Sequence, residues 1–132
     1  MKLIYLSLIT FLILFLSCNS LTMKDVYEDE NLPMMINGIV ENIEIYKGGN
    51  ITLKVMSKSG NSNYIAVDTV LQSIVRKNDY FEKKANSNKC LIRRNDSIIF
   101  IDCFDIPKEI RDSLKAVEEW PKNLKGKWQK VK

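Results

Sequence analysis

Histidine is absent from the 132 residues and glycine is scarce, at 5. Without histidine, neither a Ser-His-Asp triad nor a Cys-His pair can be assembled, and a His-containing zinc site is excluded. So little glycine leaves little material for a phosphate-binding loop, and neither GxGxxG nor GxxxxGK[ST] occurs. Cysteine is limited to 3, too few for a thiolate metal centre without imidazole, so no metal and no cofactor is expected. What is present is one domain's worth of chain. It carries 20 basic and 16 acidic side chains, a net charge of +4, and is 45% hydrophobic.

The chain starts with Met1-Lys2 and then runs apolar from Leu3 to Leu16, broken only by Ser7, Thr10 and the Tyr5 hydroxyl. As a helix this run would span about 21 Å, short of a hydrocarbon core of about 30 Å. That length fits a secretory h-region better than a transmembrane helix. The run closes on Leu14-Phe15-Leu16-Ser17-Cys18 and turns polar at Asn19-Ser20. This resembles the lipobox of bacterial lipoproteins, with Phe15 where the strict pattern has Leu, Val or Ile. The resemblance implies a signal peptide over residues 1–17, a diacylglycerol on the Cys18 sulfur, and a membrane-anchored, extracytoplasmic place in the cell envelope. Two or three acyl chains hold firmly where one is marginal, at about 0.8 kcal/mol per buried methylene. The competing readings are an ordinary cleaved signal and an uncleaved anchor.

Residues 18–33 are polar and acidic without periodicity and read as a tether. Residues 34–120 read as a β-rich domain with a C-terminal helix, and residues 121–132, with five lysines and no acid, as a solvated basic tail. Met34 to Val40 and Ile43 to Tyr46 are strand-like, and the inward parity shifts near Glu41-Asn42, predicting a bulge. Gly48-Gly49-Asn50 is a turn signal. Ile51 to Val55 alternates with period two, and Tyr64 to Val67 reads as a third strand. Val70, Leu71, Ile74 and Val75 then share a helical face that Asp68 or Thr69 can cap. Tyr80 to Lys83 reads as a short strand and Asn86-Ser87-Asn88 as a turn. Lys89 to Arg94 and Ser97 to Cys103 flank Asn95-Asp96 as a hairpin. Asp105-Ile106-Pro107 starts a helix near residues 108–119, with Asp105 as its cap, Ile110, Leu114 and Val117 as its apolar stripe, Trp120 extending that stripe, and Pro121 as its end. Glu118 and Glu119 fall on its solvated face. A helix between the third and fourth strands is OB-fold connectivity. The expected class is therefore mainly β with helices (β-rich α+β), a small OB-like or SH3-like barrel of about 5–6 strands with a C-terminal helix.

The stretch Val75-Arg76-Lys77-Asn78-Asp79-Tyr80-Phe81-Glu82-Lys83-Lys84-Ala85-Asn86-Ser87 resembles a segment of small uncharacterised bacterial lipoproteins, V-x-x-G-D-S-hydrophobic-x-K followed by a Ser-containing turn. Asn78 stands for the Gly and Tyr80 for the Ser. Asn tolerates positive φ, so the turn survives the first change. The resemblance carries no activity with it.

Cys90 and Cys103 come next. With the turn centred on Asn95-Asp96, Cys103 falls on the face of Cys90 but diagonally displaced. The diagonal Cβ separation of about 7–8 Å exceeds what a disulfide spans. Two buried thiols are thus favoured over a disulfide, unless a bulge closes the gap. Lys83, Lys89, Arg93 and Arg94, with Tyr80, cluster around the hairpin as a candidate binding face for an anionic partner. Export argues against nucleic acid, so a protein or envelope-polymer partner is expected. Asp79, Asp102 and Asp105 are the only carboxylates in a suggestive pattern, and turn and cap roles explain them more simply than acid-base catalysis. The expectation is a lipid-anchored, non-enzymatic accessory domain. Its rival is an envelope-polymer hydrolase or inhibitor acting through those aspartates.

Overall fold

A computed structural model describes residues 21–48 and 51–132; the apolar run, Cys18, Gly49 and Asn50 lie outside them. The described chain is mainly β. Seven strands form one antiparallel sheet: β1 (Ile36–Ile45), β2 (Ile51–Met56), β3 (Ser62–Val67), β4 (Tyr80–Lys83), β5 (Lys89–Arg94), β6 (Ser97–Asp102) and β7 (Gln129–Lys130). Their order across the sheet is β3-β2-β1-β4-β5-β6-β7, with β3 and β7 at the margins. Among the described residues no pairing joins the two margins, so the ladder is open. The helices are short: α1 (Met23–Asp25), a π-helical turn (Val26–Asn31), α2 (Thr69–Ile74) and α3 (Lys108–Ser113).

β1 is the long central strand, and it changes partners along its length. Its start pairs with β4, from Ile36↔Lys83 to Ile39↔Tyr80, and its remainder with β2, from Ile39↔Met56 to Ile45↔Ile51. The ladder to β2 slips between Val40 and Asn42, leaving Glu41 as the extra residue of a bulge. The parity change at Glu41-Asn42 is that bulge. At Gly38 the two strands come so close that a Cβ would lie 2.1 Å from the Met56 carbonyl oxygen, which only glycine avoids.

Alternation then gives the sheet one apolar face. Val40, Leu53, Val55, Ile65, Phe81, Ile92 and Ile99 are buried on it, joined by Leu71 and Val75 of the α2 region and by Phe104 and Ile106. Asp68 caps α2, its Oδ1 accepting the N–H groups of Val70 and Leu71 at 3.1 Å each. Val70, expected on the inner face of that helix, is instead 62% exposed. Asn78 and Asn95 hold the positive φ that their turns need, 73° and 52°.

Four expectations are corrected. The first concerns residues 18–33: from 21 onward they are not a free tether, because Tyr27 and Leu32 pack on the core and the Tyr27 ring meets Phe104 edge-on at 6.1 Å. The C-terminal helix stops at Ser113 rather than running to Pro121. Leu114 already takes extended backbone, and further on the Glu118 carbonyl accepts the Asn88 N–H at 2.8 Å. Ile110, Leu114 and Val117 are accordingly half-buried, and Glu119 lies off any helix, beside Arg111 at 2.9 Å. Asp105 makes no cap; Pro107 occupies that place without a side-chain bond, so the helix start relies on ring-fixed φ. The basic tail is not free, since β7 pairs Gln129 and Lys130 with Ile98 and Ser97 on the margin of β6.

Candidate functional site

The predicted basic face divides by strand parity. Phe81 and Lys83 share one face of β4, while Tyr80 and Glu82 share the other. Lys83 therefore points into the core and is fully buried, which removes it from any binding face. Its Nζ shares three protons among four carbonyl oxygens: Leu32 at 3.0 Å, Met34 at 2.9 Å, Lys84 at 3.1 Å and Ser87 at 2.9 Å. It also lies 5.8 Å from the centre of the Phe104 ring. Burial pushes its pKa down to about 8, while the ring of carbonyl dipoles favours the ammonium.

Arg94 turns away from that face as well. Its Nε and Nη2 grip the two carboxylate oxygens of Asp79 at 2.8 and 2.7 Å, and Nη2 also reaches the Ile74 carbonyl at 2.8 Å. Asp79, 3% exposed, further accepts the Arg76 N–H at 2.8 Å. Donating to the Asp79 carboxylate raises the Arg94 pKa. Trp128 closes the other side of the guanidinium, 4.8 Å away. Asp79 is thus a structural counter-ion.

Tyr80, Lys89 and Arg93 remain on the outer face. The Arg93 guanidinium stands 5.6 Å over the Tyr80 ring, directly across the β4–β5 pair, and has no carboxylate partner among the described residues. Met56, Ile39, Tyr80, Arg93 and Ile98 face one another in a row that crosses five strands. Met56 and Ile39 on that row are 37% and 46% exposed and border a groove of about 190 Å³ with Lys58 and Tyr80. The sequence hid this row, because its members come from separate strands. Farther along the face, Trp120 covers Phe100 edge-on at 4.7 Å and donates Nε1–H to the Cys90 carbonyl at 2.8 Å. Trp120 therefore covers the outer side rather than extending the stripe of α3. Lys84 and Lys89 flank its ring at 5.6 and 5.4 Å, and Lys89 also binds Glu118 at 3.0 Å.

Cys90 and Cys103 form a disulfide, with Cα atoms 5.1 Å apart, contrary to the two thiols favoured by a regular ladder. The cause is Asn88, fully buried and read from sequence only as a turn residue. Its Oδ1 accepts the Phe104 N–H and its Nδ2 donates to the Phe104 carbonyl, both at 2.9 Å, while its own carbonyl accepts the Cys103 N–H at 3.1 Å. The chain bends out of β6 there, and the diagonal closes.

Asp102 and Asp105 do meet at one place, a cleft of about 320 Å³ that Asp68, Arg111 and Lys125 also line. Lys125 binds Asp102 at 2.7 Å and lies 3.5 Å from Glu119. Asp79 lies outside this cleft, so the three aspartates do not form one set. No helix among the described residues is long and apolar enough to cross a membrane. No protein-family model, curated protein or solved structure matches the chain.

Proposed function

We propose that the chain is a lipid-anchored, extracytoplasmic accessory domain that binds an anionic partner, a protein or an envelope polymer, without transforming it. The observation that carries the reading is the outer row of Met56, Ile39, Tyr80 and Arg93: exposed Met56 and Ile39 and half-buried Tyr80 lead to a guanidinium that has no carboxylate partner among the described residues. Such a surface offers apolar contact and one oriented charge. The Cys90–Cys103 bridge supports an oxidising compartment. The apolar run ending at Cys18 supports export with acylation of that sulfur. The OB-like or SH3-like character belongs to the same proposal, supported by a sheet that bends at the Glu41 bulge around one core.

The test is retention on immobilised anionic glycan, peptidoglycan and solubilised envelope proteins. Reversing Arg93 to Glu should weaken retention at least tenfold and flatten its salt dependence. Unchanged retention would move the binding face elsewhere. A second reading rests on the cleft of Asp102, Asp105, Arg111 and Lys125, which would suit an envelope-polymer hydrolase or inhibitor. Turnover of an envelope polymer that disappears in Asp102→Asn would favour it over the first. For the anchor, labelling cells with a fatty-acid analogue should mark the chain and fail in Cys18→Ala.

A further inference from the structure

The two margins of the sheet are treated differently by the chain. Along β6, the chain covers its own edge: beyond the β7 pairing, Gly126 donates its N–H to the Phe100 carbonyl at 2.9 Å and Val131 to the Asp96 carbonyl at 2.7 Å. Along β3, nothing among the described residues does the same.

The β2–β3 hairpin fixes which backbone groups are left open. Ser57 donates its N–H to the Asn61 carbonyl at 2.9 Å and Gly60 to the Ser57 carbonyl at 3.0 Å, with Gly60 at φ +84°. In an antiparallel ladder the hydrogen-bonded pairs recur at every second position. From Ser57 and Asn61 they fall at Val55↔Asn63, Leu53↔Ile65 and Ile51↔Val67. Ser62, Tyr64 and Ala66 therefore turn their N–H and C=O groups away from β2, towards the open margin. Their side chains stand on the exposed outer face.

Natural edge strands are blunted by brevity, lysine, proline or a bulge. β3 has none of these. It runs six residues, Ser-Asn-Tyr-Ile-Ala-Val, in unbroken register with β2.

We propose that β3 pairs antiparallel with β3 of a second copy of this chain, forming a twofold dimer whose sheet continues across the interface. A twofold axis at such a pair sets one residue opposite itself. Centring on Tyr64 uses all three open residues, with Ser62 of each copy facing Ala66 of the other. The two tyrosine rings then lie side by side, and no like charges are opposed along the strand. The same register brings Lys58 in the loop of each copy level with the start of α2 in the other, where Asp68 and the 62% exposed Val70 sit. Lys58 of each copy would thus come level with Asp68 of the other, once at each end of the interface. A foreign strand would satisfy the backbone but not these two end contacts, which favours the second copy.

Sedimentation velocity of the full chain in detergent tests the dimer. A two-copy mass that dissociates on dilution is expected. Ala66→Pro removes one outward N–H at a place where an edge tolerates proline. It should weaken association at least tenfold, about 1.4 kcal/mol, without lowering the unfolding midpoint measured at dilutions where both proteins are one-copy. Tyr64→Lys, a change at a side chain 53% exposed, sets two ammonium groups against each other at the axis. It should act likewise, and it decides the matter if the proline variant fails to fold. A one-copy mass at every concentration would overturn the proposal. So would a two-copy mass that neither variant reduces, the behaviour of copies that merely share a micelle.

Discussion

The ammonium of Lys83 and the carbonyl of Leu32 are 51 residues apart in sequence and 3.0 Å apart in space. That contact, with the one to Met34, fastens the N-terminal segment to the middle of the sheet. Among the described residues it has no buried counter-charge; backbone dipoles hold it beside the Phe104 ring.

Lys83→Met tests that fastening. The Leu32 carbonyl keeps the Ser87 N–H at 3.3 Å and the Lys84 carbonyl keeps the Ser87 hydroxyl at 3.0 Å. Met34 and Ser87 then bear most of the loss, at about 1–3 kcal/mol for each orphaned carbonyl. The variant should be less stable by roughly 2–4 kcal/mol in urea unfolding, and residues 27–34 should gain protease sensitivity first. Wild-type stability in this variant would show that the ammonium contributes no net hold.

The same residue sets a pH dependence. Burial keeps the folded-state pKa near 8, whereas in the unfolded chain it returns to 10.5. Between those values the unfolded chain binds the extra proton, so unfolding free energy rises with pH from about 8 to about 10. The gain is on the order of 3 kcal/mol, at about 1.4 kcal/mol per pKa unit. Comparing wild type with Lys83→Met at pH 7 and pH 10 isolates it, because the two chains differ in this one ionisable group. Equal slopes would refute this assignment.

Removing the bridge by Cys90→Ala with Cys103→Ala should cost about 3 kcal/mol, as expected for a loop of this size. The cysteines are 13 residues apart. Mass spectrometry of the unreduced, alkylated protein should find neither thiol labelled. Labelling of both after unfolding without reductant would disprove the bridge.

Asp79→Asn should destabilise by about 3 kcal/mol, because it leaves Arg94 without its counter-ion beside a buried amide. Asp105→Asn, at an exposed side chain that makes no cap, should change stability by less than about 0.5 kcal/mol. The contrast is measurable by thermal unfolding of the two variants side by side.

Much of the sheet was legible from local pattern. Ile51 to Val55 alternates, Asn95-Asp96 marks a hairpin, Asp68 caps α2, and the parity slip at Glu41 is a bulge. The misses have long-range causes. Lys83 sits at an inward parity beside Phe81, but a lysine among lysines reads as surface until the carbonyls of Leu32 and Met34 are brought to it. Lysine-rich residues 121–132 have no period of their own; their order comes from the free margin of β6. The helix at Lys108 ends early, at an extended Leu114, and the chain beyond it runs to the Asn88 N–H, which donates to the Glu118 carbonyl. The disulfide depended on the same Asn88, whose amide holds Phe104 as a neighbouring backbone would. The outer face was half legible: Tyr80, Lys89 and Arg93 do share it, while Met56 and Ile39 entered only through pairing.

Mechanical load distinguishes the N-terminal segment from the sheet. A pull on residue 21 reaches the residues before β1 first, and these are held by the Lys83 cage, one backbone bond from Ser87 to Leu32, and packing of Tyr27 and Leu32. They should peel away at low force, releasing up to about 50 Å of chain at some 3.5 Å per residue. The load then arrives at β1, which is paired on both sides at Ile39. Yielding should therefore come in two steps, with the first lost in Lys83→Met, so that the segment extends before the sheet bears load.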